Sequence, residues 1–276
     1  MTPYCYLNGK IIPVSDATVS IYDIGLLRGY GIYEALTTKN RKPFALSEHL
    51  TRFRDSAKFL GIDIKESDNE ISEAIKILIE KNGFKETNIK FIITGGLTKN
   101  SIEFDRSTPT FYILAEEFIP LPEIVFVEGA SLTTYEHLRQ FPSYKTINYI
   151  QGVLVQNLRK ENHAIEILYT SQGNALEAAT SNFFIVKNKT LITPVNNILK
   201  GITRKKVLEI AKPHFTIEER EMSLDETLRA DEAFITSSFK DIVPIVSIDN
   251  QKIGGGEVGE ITKKLMKVFE DFTKNY

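Results

Sequence analysis

The sequence predicts an α+β protein that folds in two parts. Three observations predict it: a hairpin pattern near the N-terminus, helical spacing of apolar residues in several segments, and a proline-rich break near residue 120. The length of 276 residues suits one large domain or two modest ones. We therefore expect a small N-terminal domain over 1–118, a linker over 119–124 and a larger domain over 125–276.

Composition excludes several classes of partner. The formal net charge of −2 provides no basic field for nucleic acid or for an anionic membrane surface, so we expect neither partner. The single cysteine, Cys5, cannot form an intramolecular disulfide. The N-terminus lacks the pattern of a signal peptide, and no apolar run is long enough to span a bilayer. The expectation is a cytoplasmic protein.

The N-terminal part combines short strands with amphipathic helices. Asn8-Gly9 lies between apolar segments, which predicts a two-residue hairpin turn. A helix is predicted from Ser47, as its N-cap, to Gly61, because apolar residues recur between them at helical spacing. The remaining predicted elements are a helix over 71–79 and strands over 90–94 and 110–115.

The larger part follows Pro120 and Pro122, which can continue neither a helix nor a central strand. Its predicted strands lie at 123–126, 165–169, 182–186 and 234–236. Its predicted helices lie at 148–160, 203–211 and 258–272.

Lys145 is the first candidate for chemistry. In the stretch PSYKTINY it precedes a segment with helical apolar spacing, so it lies on the connection into a helix. An amine near apolar groups is partly desolvated, which favours its neutral, nucleophilic form and suits Schiff-base chemistry. On position alone, a solvated loop lysine remains the alternative.

Glu177 is the second candidate, because it stands among small and apolar residues before a segment typical of a buried strand. A buried carboxylate is costly unless it meets a cation, and the protonated ring nitrogen of a cofactor would be a suitable partner. The alternative is a loop glutamate in water.

Three further segments have features of an anion site. Gly201 allows close backbone approach, and Thr203 opens a helix whose free N–H groups favour an anion; an ordinary helix start is the alternative. Ser238 follows an apolar strand and could hold a phosphate or only form a turn. Arg52 could reach a phosphate oxygen or pair with Glu48 on the surface.

The order of these segments resembles the class IV, or fold-type IV, pyridoxal-phosphate enzymes. These include branched-chain amino acid aminotransferases, D-amino acid aminotransferases and aminodeoxychorismate lyases. The resemblance runs from YLNGKIIP to the C-terminal helix. It implies a small α/β domain, a larger β-barrel-like domain of mixed strands with helices, the cofactor pyridoxal 5′-phosphate (PLP), and a homodimer.

The resemblance also implies residue roles. Lys145 matches the Schiff-base lysine, and Glu177 matches the carboxylate that keeps the pyridine nitrogen protonated. Tyr149 matches a tyrosine near the phenolic oxygen of the cofactor, one residue closer to the lysine than in branched-chain enzymes. The phosphate cup is matched by Arg52, Ile202, Thr203 and Ser238, and the substrate pocket by Tyr33 and Phe239. Arg139 could also face the cofactor.

The implied reaction is a ping-pong transamination between an amino acid, preferably branched-chain-like, and a 2-keto acid. An aminodeoxychorismate lyase is the first alternative, because it needs the same Lys145 and cofactor, and a D-amino acid aminotransferase is the second. A cofactor-binding protein without turnover is a third. The segment 94–99 lacks the arginine expected to bind the substrate carboxylate, and Lys99, Arg28 and Arg106 are possible substitutes.

Overall fold

The structure, a computed structural model, describes residues 3–276 and divides them into two compact units. The first contains the residues up to 119 with 144–149 and Tyr276, and the second contains 120–143 and 150–275. The predicted larger domain included 144–149, whereas the structure groups this segment with the first unit. The reason is that its backbone pairs with residues 31–33.

The first unit is built on an antiparallel sheet with strand order β2-β1-β6-β5-β3-β4. The strands are β1 (Tyr4–Leu7), β2 (Lys10–Pro13), β3 (Gly31–Lys39), β4 (Lys42–Pro43), β5 (Thr87–Thr94) and β6 (Thr110–Glu117). Asn8 and Gly9, with φ of 44° and 87°, form the turn between β1 and β2. Positive φ at both central residues is typical of hairpin turns, so the predicted hairpin is confirmed.

Helices cover this sheet and complete its core. They are α1 (Ile24–Arg28), α2 (Leu46–Leu60) and α3 (Asp68–Asn82), with a short 3-10 helix at Val14–Asp16. The predicted helix up to Gly61 is confirmed, but Ser47 as N-cap is wrong, because α2 begins at Leu46 after Ala45. The apolar face of α2 packs on the sheet through Phe53, whose ring lies edge-on to Phe91 at 5.0 Å between centroids. This packing sets the positions of the polar residues on α2.

The second unit contains a mixed sheet with strand order β12-β11-β10-β13-β14-β7-β8-β9, to which β15 adds at β14. The strands are β7 (Ala130–Glu136), β8 (Glu166–Ser171), β9 (Asn174–Ala178), β10 (Asn182–Lys187), β11 (Thr190–Thr193), β12 (Thr216–Glu219), β13 (Glu232–Ser237), β14 (Asp241–Ile248) and β15 (Gln251–Lys252). The pairs β7/β8, β14/β7 and β11/β12 are parallel and the others are antiparallel.

Six helices accompany this sheet. They are α4 (Ile124–Glu128), α5 (Ile150–Leu154), α6 (Gln156–Glu161), α7 (Ile202–Ala211), α8 (Leu224–Leu228) and α9 (Glu260–Lys274). The predicted strand over 123–126 is wrong, because α4 occupies this segment; a short apolar run does not distinguish strand from helix. The predicted helix over 148–160 is divided into α5 and α6 at Val155. Over residues 3–276, no helix has both the length and the apolar composition needed to cross a membrane.

Candidate active site

Lys145 lies in a segment that pairs with the start of β3. The Tyr33 N–H donates to the Lys145 carbonyl and the Ile147 N–H donates to the Gly31 carbonyl, both at 3.0 Å. A Cβ at Gly31 would lie 2.7 Å from the Ile93 carbonyl oxygen, so this close approach requires a glycine. Backbone pairing therefore fixes the position of Lys145 relative to β3.

The Lys145 amine contacts two tyrosines. Its Nζ donates to the Tyr33 hydroxyl at 3.1 Å and lies 4.2 Å from the centroid of that ring. The Tyr33 hydroxyl donates in turn to the Tyr149 hydroxyl at 3.0 Å. The structure thus brings together the predicted catalytic lysine, one predicted cofactor residue and one predicted pocket residue. The helix that follows does not begin until Ile150, so Lys145 lies on the connection, as predicted.

The electrostatics of the amine differ from the sequence expectation. Burial acts to lower the pKa of Lys145, but the Tyr149 and Tyr33 hydroxyls outweigh burial, and the pKa is raised above its ordinary value. Burial raises the pKa of Tyr33 to about 12. The expectation that desolvation favours the neutral amine is therefore wrong for the free side chain. At neutral pH, Lys145 is an ammonium that faces a neutral tyrosine.

Arg52 is held by a buried carboxylate that the sequence analysis missed. Glu34, next to Tyr33 on β3, is fully buried and accepts from Arg52 Nε at 2.8 Å and Arg52 Nη2 at 2.6 Å. His49 Nδ1 lies 3.1 Å from the same carboxylate. Burial alone would raise the pKa of Glu34, but Arg52 and His49 outweigh it and hold the pKa well below its usual range. The signal available was a glutamate in the apolar strand, with His49 and Arg52 three residues apart on the next helix.

Acid should destabilise the protein partly through His49. Burial lowers the pKa of His49 below its ordinary value of 6.5, so the unfolded chain binds its proton more readily than the folded chain. The sign follows from linkage: stability is lost as pH falls below about 6.5, and Glu34 adds a further loss below about 4.5. We expect a His49→Gln variant to lose less of its Tm between pH 7 and pH 5 than the wild type, as measured by calorimetry. The exposed His163→Gln is the control, and equal slopes in both variants would contradict the assignment.

Glu177 lies on β9 and is buried, so the alternative of a loop glutamate in water is wrong. Its Oε1 lies 3.2 Å from Arg139 Nε. Its Oε2 accepts from the Leu199 N–H at 3.0 Å and from the Asn182 side-chain amide at 3.2 Å. These donors stabilise the ionised carboxylate. The cation comes from Arg139, 38 positions earlier in the chain, where local sequence could not indicate it.

The start of α7 offers unused donors. Gly201 precedes the helix and no side chain caps it. Within residues 3–276, the N–H groups of Ile202 and Thr203 make no hydrogen bond, and the Thr203 side chain is buried beside them. Free N–H groups at a helix N-terminus favour an anion. The confirmed helix over 202–211 therefore presents the predicted donors at its first two residues.

Hydroxyl groups at the end of β13 lie beside this helix start. Thr236 is paired with Asn182 across β10 and β13, and Asn182 binds the Gly201 N–H. Thr236 Oγ1 and Ser237 Oγ are buried and have no hydrogen-bond partner among residues 3–276. Unsatisfied buried hydroxyls are uncommon and indicate a missing polar partner. Ser238, with Phe239, occupies the turn that follows.

A second buried ion pair, also missed, anchors this turn. Lys240 Nζ lies 2.6 Å from Glu166 Oε1 and 2.9 Å from Thr180 Oγ1. Glu166 also accepts from the Thr180 N–H at 2.7 Å and from the Ser181 hydroxyl. The contacts tie the turn after β13 to the connection between β9 and β10.

The predicted site residues thus form two groups, each within one unit. Lys145, Tyr33, Tyr149 and Arg52 belong to the first unit. Glu177, Ile202, Thr203, Ser238 and Phe239 belong to the second. The part of the chain that the structure describes contains no cluster of three or more His, Cys, Asp and Glu residues suited to a metal ion.

Comparison with known proteins gives the family. A model of the class IV amino-transferases matches residues 31–248. The chain is 35% identical to a putative branched-chain-amino-acid aminotransferase of Methanocaldococcus jannaschii, covering 96% of this chain and 95% of the relative. It is 32% identical to a D-alanine aminotransferase of Bacillus licheniformis, with the same coverage.

Solved structures show the same fold. The branched-chain amino acid aminotransferase of Escherichia coli has a TM-score of 0.90 at 25% identity, over 100% of this chain and 95% of that one. That of T.th., with pyridoxamine 5′-phosphate, has a TM-score of 0.91 at 26% identity, over the same shares. The predicted family, fold class and enzyme class are confirmed. The chain belongs to the class IV aminotransferases and has their two-part α+β, fold-type IV architecture.

Proposed function

We propose that this aminotransferase uses PLP to exchange the amino group of a branched-chain-like amino acid with that of a 2-keto acid. The observation that carries the proposal is the Lys145 amine, held by backbone pairing and hydrogen-bonded to Tyr33. A lysine so placed can bind an aldehyde covalently and can move a proton. The relative from M. jannaschii, named a branched-chain enzyme, supports the substrate class.

The residues present fit the cofactor. The unused N–H groups of Ile202 and Thr203 and the unsatisfied hydroxyls of Thr236 and Ser237 suit the oxygens of a phosphate. The ionised, buried Glu177 suits a protonated ring nitrogen. The proposal also assigns Arg52 and Ser238 to the phosphate, as the family resemblance implies. When bound, PLP supplies an electron-accepting ring that stabilises negative charge at the substrate Cα.

The chain itself supplies proton transfer and orientation. Once free, Lys145 Nζ accepts the proton from the substrate Cα and later returns it. The Tyr33 hydroxyl, neutral because its pKa is about 12, accepts a hydrogen bond from that amine and holds its direction. Tyr149 orients Tyr33 by accepting the next hydrogen bond.

A D-amino acid aminotransferase is the second candidate. It is favoured by the D-alanine aminotransferases among the relatives, such as that of B. licheniformis. Tyr149 favours the branched-chain enzyme, since the resemblance placed a tyrosine there in that group. None of the relatives named above is a lyase.

We also propose a homodimer, as in the family resemblance. Large apolar side chains are exposed between β2 and β3 of the first unit: Ile21 at 70%, Tyr22 at 65% and Leu26 at 68%. An exposed apolar patch is typical of an interaction surface. Light scattering checks this, and a monomer would contradict it.

The visible spectrum of the protein reconstituted with PLP tests the function. We expect an absorption band that disappears when L-leucine, L-isoleucine or L-valine is added, because the amino group passes from substrate to enzyme. It should return when a 2-keto acid is added. Loss of the band with D-alanine and not with the L-amino acids would favour the second candidate. Absence of any band would contradict the use of PLP.

A further inference from the structure

Asn182 makes side-chain contacts with each of the segments that carry Glu177 and the start of α7. It is the first residue of β10 and is buried. We infer that Asn182 is a positioning residue that couples the carboxylate for the ring nitrogen to the helix start for the phosphate. The inference rests on the proposed use of PLP.

The side-chain amide of Asn182 uses both ends. Its Nδ2 donates to Glu177 Oε2 at 3.2 Å and to the Leu199 carbonyl at 2.6 Å. Its Oδ1 accepts from the Gly201 N–H at 3.1 Å. The opposite amide orientation would set an oxygen against two oxygens and an N–H group against an N–H group. The contacts therefore allow one orientation only.

The glycine before α7 is explained by the same side chain. Gly201 has φ −66° and ψ 145°, which any residue adopts, so it is not required for backbone conformation. A Cβ there would lie 2.0 Å from Asn182 Oδ1, whereas the nearest atom outside Asn182 is Arg204 Cβ at 3.6 Å. Asn182 thus occupies the space that a side chain at position 201 would need.

Asn182 is itself held by the sheet. In the β10/β13 pairing it lies opposite Thr236, whose hydroxyl is one of the unsatisfied groups beside the helix start. A rigid backbone and a fully engaged amide make the side chain a fixed link between Glu177 and residues 199–201. Its removal should therefore affect both ends of the cofactor together, because Glu177 loses a donor and the approach to α7 loses its anchor.

The first experiment replaces Asn182 with alanine. We expect the dissociation constant of PLP to rise about tenfold, as for the loss of a hydrogen bond to a charged group. We expect the ¹⁵N resonance of ring-labelled PLP in the holoenzyme to move towards that of neutral pyridine. A merely structural asparagine would lower Tm without moving that resonance. Asn162→Ala is the matched control, because the Asn162 side chain donates only to the carbonyl of Leu158.

A second variant keeps the inference testable if Asn182→Ala folds poorly. Asn182→Asp retains the size of the side chain but presents an oxygen to Glu177 Oε2 in place of the donor. We expect the same direction of change in the ¹⁵N resonance. An unchanged resonance in a folded variant would overturn the inference.

The second experiment is a double-mutant cycle on Asn182 and Gly201. Gly201→Ala alone should lower Tm and weaken binding of inorganic phosphate, measured by calorimetry. In the Asn182→Ala background, the same Gly201→Ala change should have little further effect, because the clashing oxygen is gone. Additive effects would overturn the inference. If the wild type binds phosphate but not PLP, the proposed function fails while this cycle still tests the coupling.

Discussion

Replacement of Lys145 by alanine should abolish transamination. The variant lacks both the amine that binds the cofactor and the base that moves the proton at the substrate Cα. General acid–base catalysis alone contributes about 10²–10⁴-fold, so we expect kcat to fall by roughly 10³-fold or more. The fold should persist, because Lys145 pairs with β3 through its backbone carbonyl and not through its side chain. Steady-state kinetics, circular dichroism and the visible spectrum measure the three effects.

Lys85→Ala is the control for this prediction. Lys85 is exposed and belongs to the same unit, so its removal should change neither kcat nor the spectrum. Normal turnover and a normal visible band in Lys145→Ala would overturn the assignment of the catalytic lysine.

Replacement of Glu34 by glutamine should be strongly destabilising. The change removes the negative charge that faces both Arg52 and His49, while Arg52 keeps its charge in a site where its side chain is only 14% exposed. Breaking a buried ion pair by removing one partner costs about 3–5 kcal/mol, and the partial exposure of Arg52 places this case near the lower end, about 3 kcal/mol. Urea unfolding measures the loss.

Glu80→Gln provides the matched comparison, because Glu80 is exposed on α3 of the same unit. Its free energy of unfolding should stay within about 0.5 kcal/mol of the wild type. If the two variants lose the same stability, the Glu34 cluster does not contribute as its geometry indicates. Weakened phosphate binding in Glu34→Gln at a temperature where it stays folded would show that Glu34 also sets the position of Arg52.

Local sequence was sufficient where one segment carries its own signal. Asn8-Gly9 formed the predicted hairpin, and the apolar spacing before Gly61 formed the predicted helix. It was insufficient where a segment is short and apolar, as at 123–126, because such a run suits a strand or a helix and its neighbours decide. The N-cap at Ser47 failed for a similar reason, since the chain enters α2 through Ala45 in the left-handed conformation.

The candidate site shows the same division. Lys145 and Glu177 were identified from their order along the chain, and their assignment as site residues remains a prediction. The groups that hold their neighbours were missed: Glu34 against Arg52, and Asn182 against Glu177 and Gly201. These contacts join residues whose separation gives no local pattern.

The sequence by itself determined the family, the fold class and the residue types available for chemistry, because ordered motifs and apolar spacing are properties of the chain. Only the tertiary structure decided the ionisation of those residues. Lys145 has a raised pKa and not a lowered one because two tyrosines reach its amine, and Glu34 stays charged because α2 brings Arg52 to it. Burial and charge pairing depend on distances between side chains, and those distances exist only after folding.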